Sequence, residues 1–213
     1  MHWDVDGIDP AGPKVLPVHH VCANTPCPHC LFQQIAFCVT TAESPRQIRH
    51  WIAYHRLIGV GTFYLFVDGS ANTPTVIREL AAMPGVTVVP RDEKIKAQQA
   101  KSRIWNETWL SAFFHKPCNH ELFVLQSLNM EVAIDMATKD GVDWLLHIDT
   151  DELVNPSTTG VFNLQQLLGA QPKDVDLVVF PNYESLPEHE NVVDPFIEVG
   201  CLLVGGWLLL GGW

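Results

Sequence analysis

The stretch "QIAFCVTTAESPRQIRHWIAYHRLIGVGTFYLFVDGS", residues 34–70, decides the fold. It opens with a short apolar, β-branched run (34–41), the pattern of a buried strand. Ser44 then suits a helix cap, Pro45 the first helical position, and Gln47 stands three residues beyond the cap, which makes a capping box. Ile48, Trp51, Ile52 and His55 recur at helical spacing, so one face of this helix is apolar. Gly59 and Gly61 end it. "TFYLFV" (62–67) is a second buried strand, closed by the turn "DGS".

The same alternation continues downstream. A short helix starts at Asn72, Thr73 and Pro74, and "GVTVV" (85–89) is a third strand. Strands separated by helices at this spacing predict an α/β fold with a largely parallel sheet. A helix is expected over about 94–110 and a longer one over 122–139. The longer helix carries the stripe Leu125, Leu128, Val132 and Met136, and Asn129 falls on that stripe. A buried amide needs partners, so Asn129 belongs to a core network or a cleft. "DGVDWLLHID" forms the fourth strand, "NLQQLLGA" a short helix and "VDLVVF" (175–180) the fifth strand.

Residues 1–33 read as an irregular arm, 34–199 as the folded domain, and 200–213 as an atypical apolar tail rich in Gly, Leu and Trp. The tail is either an edge strand packed on the core or a truncated end, with its composition leaning to the second. In the arm, Cys22, Cys27 and Cys30 stand near His19, His20 and His29. Zinc, a disulfide and free thiols all fit that spacing.

The chain has 213 residues, 47% hydrophobic and 17% charged, which suffices for one sizeable core. Its net charge of −11 argues against nucleic acid as a partner. The basic segment 91–103 reads either as a solvated helix face, the favoured reading, or as a contact for a phosphate. No apolar run approaches the length of a membrane span, and the first residues lack a signal-peptide pattern.

"WLLHIDTDELV" (144–154) is a strand that ends in Asp149, Asp151 and Glu152. If the strand persists, Asp149 and Asp151 share a face and Glu152 faces away. In open α/β sheets, ligands bind at the carboxyl ends of strands. Thr40, Thr41 and Glu43 follow the first strand and Asp68 and Ser70 the second, so three segments bring polar groups to one edge. Two carboxylates there suit Mg²⁺ or Mn²⁺ with a substrate diphosphate. Trp51, Tyr54 and His55 read as packing and orienting residues, His147 as a hydrogen-bonded core residue, and Asp68 either as a turn residue or as part of the site.

"AESPRQIRHWIAYHRLIGVGTFYLFVDGS", "LNMEVAIDMATKDGVDWLLHIDTDE" and "PNYESLPEHENVVDPFIEV" together resemble the family 92 glycosyltransferases. The resemblance covers about residues 34–199 and implies a GT-A fold, a Rossmann-like α/β/α sandwich. It implies transfer of a sugar from a nucleotide-diphosphate donor, a UDP-sugar, to a glycan or other hydroxyl acceptor. Carried over residue by residue, Thr41, Glu43, Asp68 and Asn129 line the donor site. Asp149 and Asp151 form the D-x-D that holds Mn²⁺ or Mg²⁺. Lys101 or Arg103 reaches a phosphate, and Glu184, Glu188 and Glu190 are the nearby acids for a base. Thr41-Ala42 stand where family members often carry Lys-Asn. The resemblance further implies a Golgi or secretory location, whereas the chain read by itself is cytosolic. The alternative function is a GT-A-like module that binds a nucleotide or partner without turnover.

Overall fold

The computed structural model describes residues 15–17, 33–112, 120–156, 163–187 and 199–211, with backbone alone for 15–17, 120, 182–187 and 199–211. The cysteine and histidine cluster of the arm, Glu188 and Glu190 lie outside the described residues.

The opening stretch folds as its periodicities dictate. β2 (Ile35–Thr41) leads into α1 (Pro45–Leu57) and returns as β3 (Thr62–Val67). Ser44 accepts a hydrogen bond from the Gln47 N–H and satisfies one of the orphan donors of the first turn. At the other end, Gly59 adopts φ 103°, and the N–H groups of Gly59 and Val60 bond back to the carbonyls of Arg56 and His55. That pair of bonds is a Schellman cap, which turns the chain straight into β3.

The chain continues through α2 (Pro74–Ala81), β4 (Val86–Pro90), α3 (Glu93–Gln99), α4 (Arg103–Glu107) and α5 (His120–Asp140). It then forms β5 (Trp144–His147), α6 (Leu164–Gly169), β6 (Leu177–Pro187) and β7 (Val199–Gly211). With β1 (Val15–Pro17), these strands make one sheet in the order β1-β6-β7-β5-β2-β3-β4. Every pairing is parallel except those of β7, which runs antiparallel between β5 and β6. This is the expected mostly parallel α/β sheet flanked by helices, consistent with a Rossmann-like GT-A arrangement.

Strand alternation divides the core in two. Phe37, Val39, Phe63 and Leu65 face α1 and α6, where Ile48, Trp51, Ile52 and Leu164 meet them. Ala36, Cys38, Tyr64 and Phe66 face the opposite side, against Ile95 of α3 and Val132, Ala133 and Ala137 of α5. The α1 face is unusually aromatic, with Phe37, Trp51 and Tyr54 gathered around the His55 ring at centroid separations of 4.4–5.0 Å, and Phe63 packed on Phe37 and Trp51.

Three expectations change. The single helix over 94–110 is two helices, because Ser102 caps α4 through the Trp105 N–H and its hydroxyl also bonds Glu131 on α5. Gln99 just before it is buried and bonded to Asn129, so the chain turns to hold both residues against α5. The fifth strand begins at Leu177 and runs through "NYESLP" to Pro187. Finally, the apolar tail supplies an interior strand rather than an edge. Among the described residues, no helix is long and apolar enough to cross a membrane.

Candidate functional site

The sheet order reverses at β2. From β2 the chain steps outward to β3 and β4, then crosses to the other side as β5. Such a switch point opens a crevice outside the carboxyl ends of the strands, because the flanking connections leave on opposite faces. β2 and β5 are in register with Cys38 beside His147, and the Ile148 N–H extends the pairing to the Cys38 carbonyl. β5 stops at His147, and the next residues turn back on themselves. The Glu152 N–H donates to the Asp149 carbonyl at 3.2 Å, and the Asp149 N–H donates to Glu152 Oε2 at 2.9 Å. Carboxylate oxygens of Asp149, Asp151 and Glu152 consequently lie within 4.8 Å of one another. The expectation that Glu152 faces away is corrected: it rests on an alternation that ends where the turn begins.

Carboxylates so close make Asp149 and Glu152 harder to ionise. Burial pushes the Asp149 carboxyl up, the Asp151 charge adds to this, and a 2.9 Å hydrogen bond from Gln126 Nε2 opposes it. Glu152 is pushed to about 7, chiefly by burial, with the Asp149 N–H opposing and the Asp149 and Asp151 charges adding. A divalent cation relieves this repulsion, and the donors suit it. Ligands ~2.1 Å from a shared magnesium-like ion stand roughly 3–4 Å apart, so oxygens already within 4.8 Å close on one by side-chain rotation. One oxygen of Asp149 and one of Glu152 are held by protein donors, which leaves the other oxygen of each able to serve a ligand.

A cleft opens on the α5 side of the sheet, lined by Thr40, Phe66, Asp68, Arg91, Gln99 and Asn129 among others. Asp68 accepts from the Gly69 N–H at the end of β3 and pairs with the Arg91 guanidinium, which also reaches Glu121 at 3.1 Å. Gln99 Nε2 donates to Asn129 Oδ1 at 2.7 Å, and Asn129 Nδ2 donates to Thr40 Oγ1 at 2.9 Å. α5 therefore ties the cleft to the acidic turn. Gln126 holds Asp149, and Asn129, three residues on and on the same helical face, holds the end of β2.

The chain is 56% identical over 164 residues to each of two proteins of Arabidopsis thaliana, "Glycosyltransferase-like At3g57200" and "Glycosyltransferase-like At2g41451". The chain is related to these glycosyltransferase-like proteins. The match takes in 76% of this chain but 32% and 36% of theirs, so the chain spans about a third of the length of the curated relatives it matches. No family model and no solved structure matches it.

The residues singled out from sequence fall into two groups. Asp149 and Asp151 are in the acidic turn, and Asp68 and Asn129 line the cleft. Thr41 is buried between the two, its hydroxyl 3.2 Å from that of Thr150 and accepting from the Glu43 N–H. The Glu43 side chain is exposed and does not line the cleft. Lys101 and Arg103 are exposed outside the cleft, and Arg103 pairs with Glu107. The cation that lines the cleft is Arg91, which directly follows β4. His147 differs from its expected role. Its Nε2 is buried without a hydrogen-bond partner among the described residues, and burial lowers its pKa, which keeps the ring neutral. Arg91 and Gln99 in the cleft, and Gln126, Thr150 and Glu152 at the turn, are among the residues that sequence reasoning left out of the site. Gln126 had a signal, since it lies one turn before Asn129 on α5.

Proposed function

We propose that this chain is a GT-A-like module that binds a divalent cation and a nucleotide-diphosphate sugar, of the kind found in family 92 glycosyltransferases. The carboxylate turn at the sheet's switch point carries this reading, because three hard oxygen donors converge where α/β sheets take ligands. Asp149, Asp151 and Glu152 would hold Mn²⁺ or Mg²⁺. When bound, the cation would neutralise the charge of a diphosphate. Asp68, Arg91 and Asn129 would border the nucleoside side, with Thr41 fixing the end of β2 against the turn and Glu43 at the outer rim.

The test is thermal unfolding with UDP in Mn²⁺ or in EDTA. Ligand at ~100 times its dissociation constant adds ~2.7 kcal/mol. At ~2–4 °C per kcal/mol for a chain of this size, the midpoint rises by roughly 5–10 °C in Mn²⁺ and not in EDTA. Asp149→Asn should abolish the rise. An equal shift in EDTA, or an unimpaired Asp149→Asn variant, sinks the reading.

Sugar transfer to a hydroxyl acceptor is the second reading, favoured by the relation to glycosyltransferase-like proteins. Release of sugar or formation of a glycoside by the purified chain from UDP-sugar and Mn²⁺ would select it over binding without turnover.

A further inference from the structure

Residues 149–154 lie beyond the end of β5, where the last bond to β2 is that of the Ile148 N–H. Buried backbone groups must nonetheless be satisfied. Three side chains from one face of α1 do this. Trp51 Nε1 donates to the Glu152 carbonyl at 2.8 Å, and the Tyr54 hydroxyl donates to the Val154 carbonyl at 2.9 Å. His55 Nε2 accepts from the Val154 N–H at 3.3 Å, while its Nδ1 donates to the Trp51 carbonyl at 2.9 Å. The spacing i, i+3, i+4 places all three on one stripe of the helix. They reach across about a hundred residues of sequence to one short segment.

That segment is under stress. Three carboxylates crowd their oxygens within 4.8 Å of one another there, and Glu152 lies at the end of the turn that Trp51 grips. An unheld turn would relax by opening, and the carboxylate oxygens would separate. The aromatic packing around His55 makes the grip stiff, since Phe37, Trp51 and Tyr54 all lie against the ring. We infer that Trp51, Tyr54 and His55 are positioning residues that hold the acidic turn closed in the geometry a divalent cation requires. This rests on the reading that the turn binds a cation. Partners that orient metal ligands are typically worth tenfold to a hundredfold in metal affinity.

The test is calorimetric titration of Mn²⁺ alone into the whole chain, at a temperature well below unfolding. Tyr54→Phe removes one hydroxyl and keeps the ring, so the fold survives. It should weaken Mn²⁺ binding about tenfold. Ile48→Val trims a buried aliphatic residue of the same helix, whose side chain can make no hydrogen bond to the turn. It should lower the unfolding temperature and leave Mn²⁺ affinity unchanged, which a merely structural role for Tyr54 does not predict. If Tyr54→Phe binds Mn²⁺ as tightly as the parent, or Ile48→Val weakens it equally, the positioning role is overturned. Asp151→Asn separates the two ideas. If it binds Mn²⁺ like the parent, the turn is not the cation site and both fall. If it loses binding while Tyr54→Phe does not, only the positioning role falls.

Discussion

Gly85→Ala should destabilise the fold by about 3 kcal/mol or more, lowering the unfolding temperature by roughly 10 °C. Gly85 joins α2 to β4 with φ 67°, a left-handed conformation that costs an L-residue ~1–2 kcal/mol. A Cβ there would stand 2.3 Å from the Gly61 carbonyl oxygen, and that neighbour is backbone, with no rotamer to yield. The Gly85 carbonyl also accepts the Phe63 N–H, the bond that starts the β3–β4 pairing. Relieving the overlap must therefore disturb the strand pair as well. Gly61→Ala is the internal comparison, because a Cβ on Gly61 meets nothing within 4 Å. It should change stability by less than ~0.5 kcal/mol. Urea titration of both variants decides the matter, and equal costs at the two positions would refute the overlap.

Acidification should destabilise the metal-free protein between about pH 6.5 and pH 4 through His55. Burial lowers the His55 pKa from 6.5 to about 4, with its hydrogen bond to the Trp51 carbonyl opposing. The folded state then binds fewer protons than the unfolded state in that window. Its contribution is complete above pH 6.5 and is lost as pH falls toward 4, amounting to about 3 kcal/mol. The geometry agrees with the sign, because a proton on Nε2 would face the Val154 N–H that it now accepts. Glu152 works the other way. Its pKa rises from 4.5 to about 7, so its contribution is present below 4.5 and lost as pH rises through 7. Asp149, also raised, shares that sign. Solvent reaches Glu152, so screening reduces its share, whereas His55 is fully buried. The His55 effect wins, and Glu152→Gln should steepen the loss of stability on acidification. Urea midpoints across this range give the slope, and a flat profile in Glu152→Gln would defeat the assignment.

The contrast between these residues shows what the sequence makes legible. The β2-α1-β3 unit could be read because each signal was local: Ser44 and Gln47 within one turn, and Ile48, Trp51, Ile52 and His55 on one face. The switch-point acids Asp149 and Asp151 could be read because an apolar strand preceded them. Glu152 could not, since the rule that strands alternate says nothing once a strand stops. The break at Ala100 was hidden because Gln99 and Ser102 are held by Asn129 and Glu131, about thirty residues away. Arg91 was hidden for a similar reason. Nothing at "VPRD" announces Asp68 and Glu121, which the fold brings to it from both directions along the chain. The packing of Trp51 and His55 on one apolar face of α1 was legible, but the hydrogen bonds that Trp51, Tyr54 and His55 make to Glu152 and Val154 were not.

The place of β7 carries a consequence for the order of assembly. β6 and β1 join the rest of the sheet only through β7, and β7 is the last of the described strands in the chain. During synthesis the half built on β2, β3, β4 and β5 can close while the free side of β5 waits. Until residues 199–211 arrive, that side is an open, apolar strand edge, the template on which chains pair wrongly. The interval before β7 docks is therefore one in which a growing chain is open to mispairing and in need of a chaperone.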